Sequence, residues 1–163
     1  MTRTVLTVIL LLPLLAACSG SQPGGNSGTS TASPAPDSDL RPGMHHVTYT
    51  WGISRKLNAG EWQNIGLGWN NPASGAHELP PETAATSTTP LHFPYSVQFD
   101  VNGLHVDNQH LAAGASVDVA NLAVDCTITV DGQVLATDPG TKAVMGPGGQ
   151  VQTGGSSQCM PNK

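Results

Sequence analysis

Residues 122–135 read LAVDCTITVDGQVL, and this stretch decides the fold class of the chain. Its apolar side chains occupy every second position from Leu122 to Val130, and most of them are β-branched, which is the pattern of a half-buried strand. Asp131-Gly132 follows this strand, and Asp-Gly dipeptides favour the type I′ turn of a two-residue hairpin. The stretch therefore predicts an antiparallel hairpin with one buried face.

The two-residue period recurs through the rest of the chain after residue 43. It predicts further strands at 47–51, 65–69, 95–101, 117–119 and 133–136. Asn102-Gly103 predicts a second hairpin, between residues 99–101 and 104–106. The segment from Asn70 to Pro90 contains four prolines and is predicted to be a long loop. The expected structure is all-β, a small β-sandwich of about seven strands.

The composition of the 163 residues excludes several classes of protein. Only 10% of the residues are charged, whereas helical bundles and coiled coils are rich in Glu, Lys and Arg. The net charge is −5, and there are only six Lys and Arg residues to form a basic surface. We therefore expect no nucleic-acid partner, because binding to phosphates requires such a surface.

Residues 1–17 have the pattern of a bacterial lipoprotein signal peptide. Arg3 supplies a short positive region, and the apolar run from Val5 to Leu15 is too short to cross a bilayer. The end of the segment, Leu15-Ala-Ala-Cys18, resembles the lipobox, in which the cysteine thiol carries the diacylglycerol. We therefore predict a lipoprotein whose Cys18 is lipidated, with acyl chains such as palmitate as the anchor. The alternative is an ordinary secretory signal that happens to end at a cysteine.

The next segment is dominated by Ser, Thr, Gly and Pro, and it contains no apolar residue larger than Ala before Leu40. Such a segment cannot bury enough surface to offset its chain entropy. The predicted organisation is a signal peptide at 1–17, a lipidated cysteine and flexible tether at 18–43, and a β-sandwich domain at 44–163. The expected location is the cell membrane, lipid-anchored and facing the extracytoplasmic side.

Two cysteines remain once Cys18 is assigned to the lipid. Outside the cytoplasm, a pair of cysteines in a small domain usually forms a disulfide. Cys126 lies in the apolar register of its strand, so a bridge to Cys159 would lie in the core and would hold the glycine-rich C-terminal segment. We predict this Cys126–Cys159 disulfide, and the alternative is two free thiols.

The run from Asp125 to Val134, followed by Cys159 near the end of the chain, resembles the C-terminal half of the mycobacterial membrane protein small (MmpS) family. Residues 47–49 and 94–97 are also similar to segments of that family. The resemblance implies a small immunoglobulin-like β-sandwich outside the membrane that acts beside an RND-type exporter of lipids or siderophores. Members typically carry an N-terminal membrane helix, whereas this chain has a lipobox and a tether, and its 70–90 segment is long for the family.

Six histidines invite a search for a metal site, and the closest set in the sequence is His105, Asp107 and His110. No cysteine-rich or helical His-x-x-x-His spacing accompanies them, so we predict no metal site and no cofactor. The chain has no Gly-x-Ser-x-Gly elbow and no phosphate-binding glycine loop before a helix. We therefore predict no catalytic residues and a protein that is not an enzyme.

Three tryptophans lie within nineteen positions, close to several Asn and Gln side chains. Trp51 shares the apolar register of Tyr49 and is predicted to lie in the core. Trp62 and Trp69 are the candidate ligand-binding residues, because an exposed indole beside amide groups can stack on a sugar ring or enter lipid. The alternative for both is a place in the core.

These features predict a non-catalytic lipoprotein of the cell envelope, an immunoglobulin-like binding or assembly module that is accessory to an RND-type exporter. The alternative is a lipoprotein that binds a solute, lipid or glycan through Trp62, Trp69 and the 70–90 loop. The expected partners are the membrane, through the lipid anchor, and either a membrane transporter or a lipid-like ligand. An enclosed apolar cavity would favour lipid, an exposed tryptophan platform would favour sugar, and an exposed sheet surface would favour a protein partner.

Overall fold

The computed structural model describes residues 39–83 and 87–161. Within these ranges the chain forms ten β-strands and two 3-10 helices, the latter at Glu61–Asn64 and Pro81–Thr83. The strands are β1 Leu40–Ile53, β2 Ile65–Asn70, β3 His77–Glu78, β4 Tyr95–His105, β5 Ala113–Val117, β6 Val124–Val130, β7 Gln133–Asp138, β8 Val144–Met145, β9 Val151–Thr153 and β10 Gly155–Cys159. No helix in the described ranges has the length and apolar character needed to cross a membrane.

Two four-stranded sheets form the sandwich. The first sheet has the strand order β4-β1-β6-β7 and the second has the order β10-β5-β2-β3, while β8 and β9 form a separate two-stranded ribbon. Neighbouring strands in both sheets are antiparallel. The predicted all-β sandwich is confirmed, although the described strands number ten rather than about seven. The surplus comes from β3, β8 and β9, which have two or three residues each and are too short to show a period.

The core lies between the two sheets and is built around aromatic side chains. Val47, Tyr49 and Trp51 of β1 face Ile65, Leu67 and Trp69 of β2, and all six are buried. The rings of Trp51 and Trp69 pack with their centroids 5.7 Å apart. Aromatic side chains bury large areas, so this contact adds to the packing that holds the two sheets together.

The two predicted hairpins have different outcomes. Asp131-Gly132 connects β6 to β7 with φ angles of 53° and 77°, as a type I′ turn requires. The prediction at Asn102-Gly103 is wrong, because β4 continues through both residues. Its partner β1 pairs on either side of Gly103, and the register shifts between Arg41 and Met44. The positive φ of Gly103 therefore belongs to a bulge and not to a turn.

Other strand bounds also differ from the sequence prediction. The fifth strand occupies Ala113–Val117 and not 117–119. The segment predicted as a long loop contains the short strand β3 and a 3-10 helix. The first strand begins at Leu40, inside the segment assigned to the tether, because Leu40 and Arg41 pair with the end of β4. Residues 1–38, which include the predicted signal peptide and Cys18, lie outside the described ranges.

A disulfide joins the two sheets. Cys126 of β6 and Cys159 of β10 are bonded in the structure, with their Cα atoms 6.0 Å apart. Both cysteines are buried in the core. The pairing is the one that the sequence predicts, and it attaches the last strand of the second sheet to a central strand of the first.

Candidate binding site

An open groove with a volume of about 680 Å³ lies on the outer face of the second sheet. We call it the second-sheet groove. Its floor is formed by the outward positions of β2, β5 and β10, namely Gly66, Gly68, Gly114, Ser116, Ser156 and Gln158. Five of these six residues are Gly or Ser. The floor of the groove therefore carries mostly small side chains across three adjacent strands.

The sequence of β2 explains the shape of this floor. In Ile65-Gly66-Leu67-Gly68-Trp69 the large side chains occupy the inward positions, and glycine occupies both outward positions between them. A Cβ atom on Gly66 would lie 2.6 Å from the Ser116 hydroxyl oxygen. The same alternation that places bulky side chains in the core therefore leaves the outer face of β2 without side chains at these two positions.

Neighbouring side chains lie close over the glycines. A Cβ on Gly68 would lie 2.7 Å from Cε1 of His77, so the His77 ring covers this part of β2. A Cβ on Gly114 would lie 3.0 Å from the carbonyl oxygen of Ser157 on the adjacent strand. Glycine at these positions lets the neighbouring groups lie this close to the backbone of the sheet.

The segment after β2 forms one wall of the groove, through His77 and Leu79. Hydrogen bonds hold this wall against the sheet: Trp69 Nε1 donates to Glu78 at 3.0 Å, and Asn71 Nδ2 donates to the same carboxylate at 2.8 Å. Leu79 is 60% exposed although it is a large apolar residue. The wall is therefore anchored by polar contacts and presents an apolar tip to the groove.

The candidate tryptophans are not an exposed platform. Trp69 is only 5% exposed, packs on Trp51 and reaches the groove only as part of its lining. Trp62 is half-buried and packs against the core from the 3-10 helix at Glu61–Asn64. Trp51 is fully buried, as predicted. A sugar-stacking surface at Trp69 does not fit this packing, because its ring faces are covered.

An ion pair fixes the loop that carries Trp62. The Arg55 guanidinium donates two hydrogen bonds to Glu61, at 2.8 and 3.0 Å, and a third to the carbonyl of Ala120 at 3.0 Å. The bonds from Arg55, together with those from Asn58, lower the pKa of Glu61 to about 2. The contact between Arg55 and Glu61 is bidentate, which is the geometry in which Arg binds a carboxylate most strongly.

The set His105, Asp107 and His110 is brought together at one end of the sandwich. His105 ends β4, and the other two residues lie in the turn that leads to β5, which we call the 107–111 turn. The two imidazole rings stack with their centroids 4.7 Å apart, and His110 Nδ1 lies 3.0 and 3.1 Å from the two carboxylate oxygens of Asp107.

The electrostatics of Asp107 follow from these contacts. Partial burial raises the pKa of Asp107, but hydrogen bonds from the His110 side chain and from the amides of His110 and Gln109 lower it by more. The net pKa of Asp107 is therefore below its usual value, and the carboxylate is charged at neutral pH.

Two other histidines pair with a single carboxylate each. His45 Nδ1 lies 2.8 Å from Asp131, and His46 Nδ1 lies 2.9 Å from Asp100. The hydrogen bond to Asp131 raises the pKa of His45. These contacts lie along the first sheet, where β1 meets β4 and the β6–β7 turn.

No protein-family model matches this chain, and neither a curated protein nor a solved structure does. The functional proposal therefore rests on the fold, the geometry of the groove and the sequence pattern.

Sequence reasoning missed the groove, although its signal was present. The glycines at 66 and 68 indicate a weakened strand when they are considered alone. Both glycines alternate with three bulky residues of the same strand. This alternation is the signal that could have revealed an outer face without large side chains. The partners Gly114, Ser116 and Ser156 come from distant parts of the chain, and only the strand order places them beside β2.

Proposed function

We propose that this chain is a non-catalytic binding module of the cell envelope and that the second-sheet groove receives an extended segment of a partner protein. The observation that carries the proposal is the floor of Gly and Ser across β2, β5 and β10. A sheet face on which most side chains are small or absent lets another backbone approach closely, which is a usual reason for glycine at such positions.

The shape of the groove favours a protein segment over the other ligand classes. The groove is open along the sheet and is not an enclosed apolar cavity of the kind that would hold an acyl chain. Trp69, the aromatic residue that lines it, is buried and offers no ring face for sugar stacking. Leu79 and Met160 supply apolar contacts at the margins, while Gln158 supplies an amide group for hydrogen bonds to a peptide.

The proposed location supports this function. Lipidation of Cys18 would hold the module at the membrane, and a tether over residues 18–39 would let the groove reach a neighbouring protein. The resemblance to the MmpS family makes an RND-type exporter the first partner to test. In that case the module would act as an accessory subunit and perform no chemistry of its own.

A site-specific photocrosslinker tests the proposal in intact membranes. Ser116 on β5 and Ser96 on β4 are both exposed serines one residue from the end of their strands, but Ser116 lies in the groove and Ser96 lies on the outer face of the first sheet. Benzoylphenylalanine at position 116 should give a discrete adduct with a membrane or envelope protein, identified by mass spectrometry, that position 96 does not give.

The same experiment distinguishes the alternatives. An adduct at position 116 with a glycan or a small solute would favour the alternative function, for which Asn70, His77 and Gln158 provide the polar groups. Identical adducts at positions 96 and 116, or none at either, would contradict a binding role for the groove. The fold of both variants is checked by circular dichroism and by retention of the disulfide.

A further inference from the structure

We propose that His105, Asp107 and His110 form a binding site for a divalent transition-metal cation, with Zn²⁺ as the reference ion. The three side chains do not line the groove, although Asn70 contacts both regions, and the site does not depend on the proposed binding of a protein segment. Two imidazoles and one carboxylate are a donor set that suits Zn²⁺, Cu²⁺ and Ni²⁺ better than the hard cations, which prefer oxygen. Three protein ligands also leave a coordination position open for water or an external ligand.

The three side chains are already close enough to converge on one ion. Their donor atoms all lie within 4.8 Å of one another. Ligand atoms around a tetrahedral Zn²⁺ are about 3.3–3.5 Å apart, as metal–ligand distances of about 2.0–2.1 Å require. The remaining difference is small enough for side-chain rotation, since His110 and Asp107 are 24% and 29% exposed and are not locked in the core.

The backbone that carries the donors is held rigid without a metal. Asp107 Oδ1 accepts hydrogen bonds from the amides of Gln109 and His110 at 2.8 and 2.9 Å. The amide of Leu111 donates to the Asp107 carbonyl at 2.8 Å, and the Leu111 side chain is fully buried. The 107–111 turn thus keeps Asp107 and His110 on the same side as the end of β4.

Two further contacts attach this turn to the rest of the fold. The buried hydroxyl of Tyr49 lies 2.8 Å from the carbonyl of Asn70 and 3.2 Å from the carbonyl of His110, and both carbonyls accept from it. Asn70 Nδ2 donates to the carbonyl of Gln109 at 2.8 Å. Supporting contacts of this kind reduce the entropy that is lost when donors are ordered around an ion.

Two other histidines of the described ranges lie in simple pairs and not in a group of three metal-ligating side chains. The imidazole rings of His45 and His46 each contact one carboxylate, at 2.8 and 2.9 Å. Within residues 39–83 and 87–161, the set at 105, 107 and 110 is the group in which three or more metal-ligating side chains converge. Scattered surface histidines bind ions weakly and without fixed stoichiometry, so stoichiometry separates a built site from adventitious binding.

The test uses the full chain, purified in detergent without a histidine tag and treated with a chelator. Titration with Zn²⁺ in a calorimeter should show one saturable site with a Kd tighter than about 100 µM. His105→Ala and His110→Ala should each weaken that binding at least about ten-fold, as loss of a ligand or its supporting partner does. Asp107→Asn should also weaken it, while the Asn side chain keeps an oxygen for the two amide hydrogen bonds of the turn.

His46→Ala is the matched control, because it removes a histidine that pairs with one carboxylate away from the site. It should leave the Kd and the stoichiometry unchanged. A second measurement needs no substitution: in the wild-type chain, Zn²⁺ should shift the imidazole ¹⁵N resonances of two histidines, and these should be assigned to His105 and His110.

Four results would overturn the proposal. The first is the absence of saturable binding to the wild-type chain, and the second is binding that His105→Ala and His110→Ala leave intact. The third is equal loss in His46→Ala, and the fourth is a set of ¹⁵N shifts spread over all the histidines; either of these would show an adventitious ion only.

Discussion

The disulfide between the sheets supports a quantitative prediction. Cys126 and Cys159 are 33 residues apart, and closing a loop of that length lowers the entropy of the unfolded chain enough to stabilise the fold by about 3.7 kcal/mol. Reduction of the wild-type chain should therefore lower its free energy of unfolding by that amount. The double variant Cys126→Ala/Cys159→Ala should lose roughly 1 kcal/mol more per site, because each replacement leaves a small cavity in the core.

Urea denaturation followed by tryptophan fluorescence measures the effect, since the buried rings of Trp51 and Trp69 report on the core. With an m value of about 1.5 kcal/mol/M, reduction should move the midpoint down by roughly 2.5 M. The double alanine variant serves as the control for the reductant, because it has no disulfide at these positions to reduce and should be insensitive to it.

A shift of less than about 1 kcal/mol on reduction would refute the reasoning, since the entropic contribution of the loop would then be absent. Alkylation of both thiols in the folded, non-reduced chain would refute the bridge itself. A loss confined to hydrogen-exchange protection of β10 would show that the bridge holds one strand and does not stabilise the whole fold.

Three further predictions concern other parts of the chain. Cys18→Ser should release the protein from the membrane fraction or leave it unprocessed, and a variant that is processed and fractionates like the parent would contradict lipidation. The pKa of Glu61 is lowered to about 2 from 4.5, so its contribution to stability is present above pH 4.5 and is lost as the pH falls toward 2. The urea midpoint of Glu61→Gln should therefore fall less over this pH interval than the midpoint of the parent. Midpoints that fall in parallel with pH for the two proteins would count against the ion pair. Gly132→Ala should lower the free energy of unfolding by about 1–2 kcal/mol, because of its positive φ alone. Gly140→Ala should lower it by more, since the φ of Gly140 is also positive and an added Cβ would overlap the Val124 backbone. Equal decreases in the melting temperature of the two variants would contradict this prediction.

The parts of the fold that the sequence predicts are those with a strong local signal. Strands β1, β4 and β6 each carry a clear two-residue period, and their register on the core side is as expected. Asp131-Gly132 and the Cys126–Cys159 pair are also predictable, because turn chemistry and the redox compartment depend on few other residues.

The parts that it misses depend on distant pairing. Asn102-Gly103 has the same turn propensity as Asp131-Gly132, but β1 extends far enough to pair on both sides of it, and this long-range ladder overrides the local preference. Strand β5 consists of Ala113-Gly-Ala-Ser-Val117, whose Gly and Ala residues give it a weak propensity for a strand. Its extended conformation comes from hydrogen bonds to β2 and β10 on either side.

In the candidate sites, too, the sequence predicts local features and misses those that depend on distant parts of the chain. The sequence places His105, Asp107 and His110 near each other, but only the stacking across the 107–111 turn shows that their donor atoms converge. Trp69 is a candidate from composition, and its burial becomes evident only when β2 is placed opposite β1.

The glycine floor has a consequence for how this chain tolerates mutation. Outward-facing strand positions are ordinarily where sequence drift accumulates, because a new side chain there meets only water. Gly66 and Gly68 occupy outward positions of β2, and an added methyl group there would have to displace the side chain of Ser116 or His77. A saturation scan of β2 would thus record constraint on both faces, from the packed core on the inner face and from side chains that must move aside on the outer face. An observer who inferred the interior from intolerance alone would conclude that β2 is sandwiched between two cores.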